Sequence, residues 1–291
     1  MAARTEGIDG SGQRGFVGAG GIRLSLSSKV IPFVKASACG NDFLLIDAST
    51  LNSDSNPAAL TQLMCNRHDG VGADGVEWMY PHPSADAEIR LINADGSAAE
   101  ISGNGTRCVA AYFCAVHQKE RISIQTGAGL KACVLTGRNE FEYEFEIAMG
   151  EATVGAELPI KMAEGEVFGI PVSMGNPHYV LFVSDFPENW QIKAGEIQSS
   201  PEFTQGVNVE MVVIDGKHDV RARFLERGVG ETQSSGTGSC ASALAALSTG
   251  RVQSPVRVHA PGGTQTVRHE ENLVFLRGAA HLVCRGEFFL S

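Results

Sequence analysis

The 291-residue sequence is poor in aromatic residues, at 7%, and in positive charge, with 23 Lys and Arg against 33 Asp and Glu. A net charge of −10 with no basic stripe excludes a general nucleic-acid binder. No apolar run approaches the length of a membrane span, so no membrane association is expected. The seven cysteines are odd in number and show no paired C-x-x-C spacing. That excludes a zinc ribbon or a secreted disulfide framework and leaves free, mostly buried thiols in a reducing cytoplasm. No metal site is expected. Residues 1–30 are rich in Gly, Ser and Arg without a continuous apolar core, so they are no secretory signal and read as a disordered extension.

What is abundant is small and flexible. The 34 glycines imply many tight turns, and 43% hydrophobic with 19% charged residues fits a soluble globular chain long enough for two domains. Ile31–Val34 and Phe43–Ile46 read as a hairpin around Ser37–Asp42, and Leu60–Arg67 as a helix. Strands are predicted at Val76–Tyr80, Glu88–Asn93, Ile122–Gln125, Leu130–Leu135 and Glu142–Ile147. The second half repeats the plan at Ile170–Met174, Tyr179–Val183, Val209–Ile214 and Val220–Leu225. Val256–His259, Gln265–Val267, Leu273–Leu276 and Ala280–Leu290 follow as closing strands.

Two loops repeat each other. They read Ser102-Gly103-Asn104-Gly105-Thr106-Arg107-Cys108 and Ser235-Gly236-Thr237-Gly238-Ser239-Cys240, each before an Ala-rich helix-forming stretch. The offset, 235 − 102 = 133 residues, is close to half of the chain beyond residue 30. A small-residue loop opening a helix exposes unpaired N–H groups and the positive end of the helix dipole, which suits a carboxylate or phosphate. Two such loops imply two half-sites facing one small anion, in an α+β chain with an internal duplication and a cleft between the halves. The halves are taken as 31–150 and 151–279, with the boundary in Gly150–Leu158 where periodicity fades.

Four further polar clusters stand in fixed order with the loops: Gly40–Phe43, Asn93–Ser97, Gly175–His178 and Glu226–Thr232. Singly each reads as a turn or a solvated pair. Together with the loops they make the chain resemble the diaminopimelate epimerases, which epimerise an amino acid without a cofactor, over residues 31–291. The resemblance implies an α+β fold of two pseudo-symmetric domains, each a curled, mostly antiparallel sheet or barrel around a central helix. The last strand, about 280–291, would join the first domain. It also implies inversion of an α-carbon between LL- and meso-diaminopimelate in lysine and cell-wall precursor synthesis, with no pyridoxal phosphate. The partner is then a small amino acid, and a homodimer is left open.

In that family two cysteines flank the α-carbon, one removing a proton and the other returning one to the opposite face. Those cysteines fall at Ser102 and Ser235. By the same resemblance Asn41, Asn93, Asn176 and Asn208 hold the substrate's amino and carboxylate groups. Gly103, Asn104, Gly236 and Thr237 supply anion contacts, Glu226 and Arg227 meet the distal end, and His178 and Glu226 assist proton transfer. Gly75 stands where some members have glutamine, which removes one expected contact.

Serine changes the chemistry. If its pKa lies roughly five units above that of cysteine, an alkoxide costs on the order of 7 kcal/mol more than a thiolate, at about 1.4 kcal/mol per unit. Helix dipoles contribute about 0.3–2 kcal/mol and leave most of that gap. Each serine therefore needs a dedicated base. His178 or Glu226 could serve one face, and the sequence assigns none to the other. Cys39, beside Asn41, is expected to be an inert thiol because no cation is evident near it. Three readings stay open: an epimerase with impaired activity, another isomerase, racemase or dehydratase of this fold, or an inactive amino-acid-binding homologue.

Overall fold

Two Ala-rich helices run inside two rings of strands, and each ring is built by the same succession of hairpins and crossovers. The structure, a computed structural model, describes residues 30–51 and 55–290. Apart from Val30, the expected N-terminal extension lies outside the described residues.

Strand β1 (Val30–Ala38) pairs antiparallel with β2 (Asn41–Asp47), which is the expected hairpin. Helix α1 (Pro57–Cys65) then carries the chain to β3 (Gly75–Tyr80), parallel to β2. A parallel neighbour cannot be reached by a tight turn, so a crossover is required. Antiparallel β4 (Ala87–Asn93) and short β5 (Ala98–Ala99) lead into α2 (Gly103–His117), which crosses to β6 (Arg121–Thr126), parallel to β4. Strands β7 (Gly129–Asn139) and β8 (Glu142–Glu151) follow as a meander.

The second half adds β9 (Thr153–Val154), β10 (Leu158–Met162) and β11 (Gly165–Ser173) before repeating the plan. Helix α3 (Trp190–Gln198) links β12 (Pro177–Phe182) to parallel β13 (Asn208–Gly216). Antiparallel β14 (Asp219–Glu226) and β15 (Gly230–Thr232) lead into α4 (Gly236–Ser248), which crosses to β16 (Val256–Ala260), parallel to β14. Strands β17 (Gly263–Glu270) and β18 (Leu273–Phe289) end the chain. β18 leaves β17, runs along β8 and finishes against β1, closing an eight-strand ring of β1, β2, β3, β4, β6, β7, β8 and β18.

Alanine suits the central helices for two reasons: it has the best helix propensity and lets surrounding strands approach closely. In α4 every residue from Gly238 to Ala246 is buried, as expected of a helix enclosed on all sides. α2 buries Asn104–Ala111 and Cys114 in the same manner.

Three element expectations need correction. α1 starts at Pro57 rather than Leu60, because Asn56 caps it and Pro57 presets the first turn. β18 is one strand rather than two: the break expected around Gly278 is bridged by continuous pairing with β8, where the guanidinium of Arg107 packs over the glycine. Helix α3 was not expected, and its buried Trp190, Ala194 and Ile197 recur at helical spacing within a polar segment.

Candidate active site

Each serine of the repeated loops is a helix N-cap. Ser102 has extended backbone (φ −119, ψ 121) and its Oγ accepts from the Gly105 amide at 3.0 Å. Ser235 repeats this (φ −138, ψ 127), accepting from Gly238 at 3.1 Å. Serine is among the favoured caps, a stabilising role for the hydroxyl that the chemistry-led sequence reading passed over. The hydroxyl hydrogens remain free to donate.

The fourth residue of each loop, Gly105 or Gly238, is glycine because a buried glutamate lies beneath it. A methyl group on Gly105 would sit 1.9 Å from Oε1 of Glu77 and 3.3 Å from Cβ of Ser102. One on Gly238 would sit 2.9 Å from Oε1 of Glu210 and 2.9 Å from Cβ of Ser235. Gly103 differs, since nothing lies within 4 Å of the same point. Gly105→Ala should therefore destabilise the fold by about 1–3 kcal/mol or more through overpacking, while Gly103→Ala should leave stability unchanged or higher. Urea unfolding midpoints of the two variants check the contrast.

In the second half the glutamate is paired. Oε1 of Glu210 lies 2.7 Å from Nδ1 of His178, and both side chains are buried. Nε2 of His178 meets Oδ1 of Asn176 at 3.0 Å, and Asn176 donates to Thr237 Oγ1 at 3.4 Å. With Asn176 Oδ1 accepting, Nε2 of His178 is the donor on that side, and Nδ1 is left facing the Glu210 carboxyl. Burial raises the Glu210 carboxyl above its usual range, against the lowering effect of His178.

The two loops are joined directly. Asn104 Nδ2 donates to Ser234 Oγ at 2.8 Å and to Asn41 Oδ1 at 2.7 Å, so the start of α2 touches the residue preceding Ser235. Arg107, fully buried, donates to Asn104 Oδ1. With the Gln265 amide turned so that its oxygen faces the guanidinium, the orientation that satisfies both of its ends, Arg107 also donates to that oxygen at 3.0 Å and the Gln265 nitrogen donates to the Ser235 carbonyl at 3.3 Å. Among the described residues no carboxylate forms an ion pair with this guanidinium. Two helix N-termini and an unpaired buried cation thus meet at one junction, giving a local field suited to a carboxylate despite the overall negative charge.

The other predicted residues fall into two groups. Asn41 donates to Asp74 at 3.0 Å, and Asn93 donates to Ser97 Oγ at 3.0 Å. Asn208 donates to the Pro177 carbonyl at 3.1 Å and accepts from the Arg227 amide at 2.9 Å. Glu226 accepts from Thr232 at 3.0 Å. Gly236 opens α4 as Gly103 opens α2, whereas the Arg227 side chain is exposed and donates to the Gln205 carbonyl. At Gly75 a side chain would meet the Ile92 carbonyl at 2.7 Å, so the strand leaves no room for one.

Cys39 differs from expectation. It is half-buried with φ +48, and Nη2 of Arg107 lies 3.6 Å from its Sγ, so the cation that the sequence did not reveal is present. Cys65, Cys108, Cys114, Cys133 and Cys240 are free and buried. Among the described residues no group of His, Cys, Asp and Glu is placed to hold a metal, and no helix is long and apolar enough to cross a membrane.

The profile of the family described as diaminopimelate epimerase matches residues 33–154 and 170–283. The chain belongs to that family. A diaminopimelate epimerase of Pelotomaculum thermopropionicum is 36% identical over 275 residues, covering 88% of this chain and 98% of the relative. One from Elusimicrobium minutum is 34% identical with the same coverage. Among solved structures, a hydroxyproline epimerase from Agrobacterium vitis matches with a TM-score of 0.65 at 16% identity, covering 92% of this chain and 94% of that one. A phenazine biosynthesis protein from Bacillus anthracis matches at 0.67 and 15%, covering 89% and 99%. These distant likenesses establish the fold, two pseudo-symmetric halves with a helix at the centre of each. Membership of the diaminopimelate epimerase family makes the chain an amino-acid epimerase by class.

Proposed function

We propose that the protein interconverts LL- and meso-diaminopimelate by proton transfer at one α-carbon, without pyridoxal phosphate, in the cytoplasm. The observation that carries this reading is the contact between the two capped helix N-termini through Asn104 and Ser234, within a chain of the diaminopimelate epimerase family. The substrate carboxylate binds the two N-termini beside Gly103, Asn104, Gly236 and Thr237. Asn41, Asn93, Asn176 and Asn208 hold its amino and carboxylate groups, and Glu226 with Arg227 meets the distal end.

Ser102 and Ser235 then stand on opposite faces of the α-carbon. When one hydroxyl oxygen takes the α-proton, the C–H electron pair stays on carbon, and the other hydroxyl returns a proton to the far face. The helix N-termini stabilise the negative charge spreading onto the carboxylate. An isolated serine cannot start this step at neutral pH, so the proton of Ser235 passes to Glu210, held by His178; the lie of the Glu210 carboxyl beneath Gly238 of the same loop supports that role. Impaired rather than absent turnover is the expected consequence.

Hydrogen exchange in heavy water, run across a panel of amino acids that includes diaminopimelate, tests the reading. Exchange at the α-carbon of diaminopimelate is expected. Exchange of another amino acid only would move the substrate, and binding of diaminopimelate without exchange would make the protein a binder.

A further inference from the structure

Glu77 occupies the place in the first half that Glu210 occupies in the second. The offset is the one that relates the serines, since 77 + 133 = 210. The registers agree as well. Glu77 on β3 lies between Leu45 of β2 and Leu91 of β4, as Glu210 on β13 lies between Val180 of β12 and Phe224 of β14. Each carboxyl is buried and reaches beneath the glycine of its own serine loop.

The partners differ. Opposite Asn208, two residues before Glu210, β12 supplies His178; opposite Gly75, two residues before Glu77, β2 supplies Phe43. Among the described residues neither oxygen of Glu77 has a hydrogen-bond partner. Burial alone pushes its carboxyl up to about 8, so it is mostly protonated at neutral pH. The groups facing it are Phe43 and Leu45 from β2, Leu91 from β4, and the thiol of Cys108 from α2, which burial keeps neutral. The next α2 side chain, Arg107, is engaged with Asn104 and Gln265. An unpaired carboxyl among leucines is a cost that packing does not explain.

We propose that Glu77 is the proton-exchange partner of Ser102, holding in the first half-site the place that His178 with Glu210 holds in the second. The inference rests on the inversion reading above. Ser102 and Glu77 flank Gly105 without a hydrogen bond between them, so the step requires the Ser102 hydroxyl to turn toward the carboxyl: as Oγ takes the α-proton, its hydroxyl proton then moves to the ionised fraction of Glu77, and the electron pair of the broken C–H bond stays on carbon. In the opposite direction the acid proton of Glu77 returns to Oγ while the hydroxyl proton goes to the carbanion. No electrons are gained or lost overall. Glu77 acts through Ser102, so it is a positioning residue rather than a group that touches substrate.

Glu77→Gln and Glu77→Leu are expected to lower α-hydrogen exchange about 100-fold or more, the usual range for losing a general base. Glu77→Leu, which fits the surrounding leucines, should meanwhile raise the urea midpoint, so lost activity cannot be assigned to lost structure. Adding Ser102→Cys to either variant should restore exchange, because a thiol titrates without help. Wild-type rates in both Glu77 variants, or no rescue by cysteine, would overturn the proposal.

If the wild-type chain exchanges no amino acid, the inversion reading has failed and the coupling is still measurable. The thiol of Ser102→Cys, followed by thiolate absorbance, should titrate at lower pH when Glu77→Gln removes the nearby carboxylate. An unchanged titration would show that positions 77 and 102 do not communicate.

Discussion

The double change Ser102→Cys with Ser235→Cys is expected to raise diaminopimelate inversion about ten- to a thousand-fold. A serine alkoxide costs on the order of 7 kcal/mol more than a thiolate, or about 10⁵ in rate at about 1.4 kcal/mol per tenfold. A positioned base recovers about 10²–10⁴ of that, and the remainder is the expected gain. Either single change should gain far less, because inversion needs a competent group on each face and the unchanged face would limit the rate. Exchange from one stereoisomer alone could still rise in a single variant. Cysteine caps helices less well, so the double variant should be somewhat less stable, by about 1 kcal/mol per cap. Chiral separation of the diaminopimelate isomers measures the rate. A folded double variant that binds diaminopimelate weakly and inverts none would place the substrate elsewhere among small amino acids.

Stability should fall as pH rises from about 4.5 to about 8, and Glu77→Leu should abolish that part of the fall. The folded-state carboxyl titrates near 8 against a usual 4.5. Below 4.5 both states are protonated and Glu77 adds no pH dependence. Between the two values the unfolded chain ionises while the folded one cannot, so the unfolded state gains. Above 8 the loss levels off. The gap corresponds to at most about 5 kcal/mol at about 1.4 kcal/mol per unit. Other titrating groups, including Glu210, are common to both proteins, so the difference between wild type and variant isolates Glu77. Urea unfolding at pH 5 and pH 8.5 gives that difference. Parallel pH dependence in the two proteins would mean that Glu77 is already solvated or paired when folded.

Much of this architecture was legible in the sequence, because duplication is visible wherever residue chemistry is unusual. The two Ser-Gly-x-Gly loops carry an offset of 133, and the strands around them followed from period-2 and apolar runs. Helix α3 escaped notice since Trp190, Ala194 and Ile197 are separated by polar residues, so a window sees no clear amphipathic stripe. Yet the offset itself contained it: residues 57–65 of α1 moved by 133 are residues 190–198 of α3. Glu77 was missed for a related reason. In sequence it is one acidic residue in an apolar strand, and only pairing with its counterpart Glu210 marks it as half of a repeated pair. The cation beside Cys39 could not be read at all, because Arg107 reaches it across 68 residues of chain. Conversely, the serines looked like chemistry alone, and the structure adds their helix-capping bonds.

The central claim is that two opposed half-sites share the work at one carbon. It is tested most directly by the fate of the α-hydrogen when a single diaminopimelate isomer is converted in heavy water. Early in the reaction, the inverted product should carry deuterium at its α-carbon while the unreacted isomer remains largely protonated, because one face removes hydrogen and the other supplies it from solvent. Product that retains the original hydrogen would mean that one group serves both faces, and the paired half-sites would then not be the catalytic arrangement.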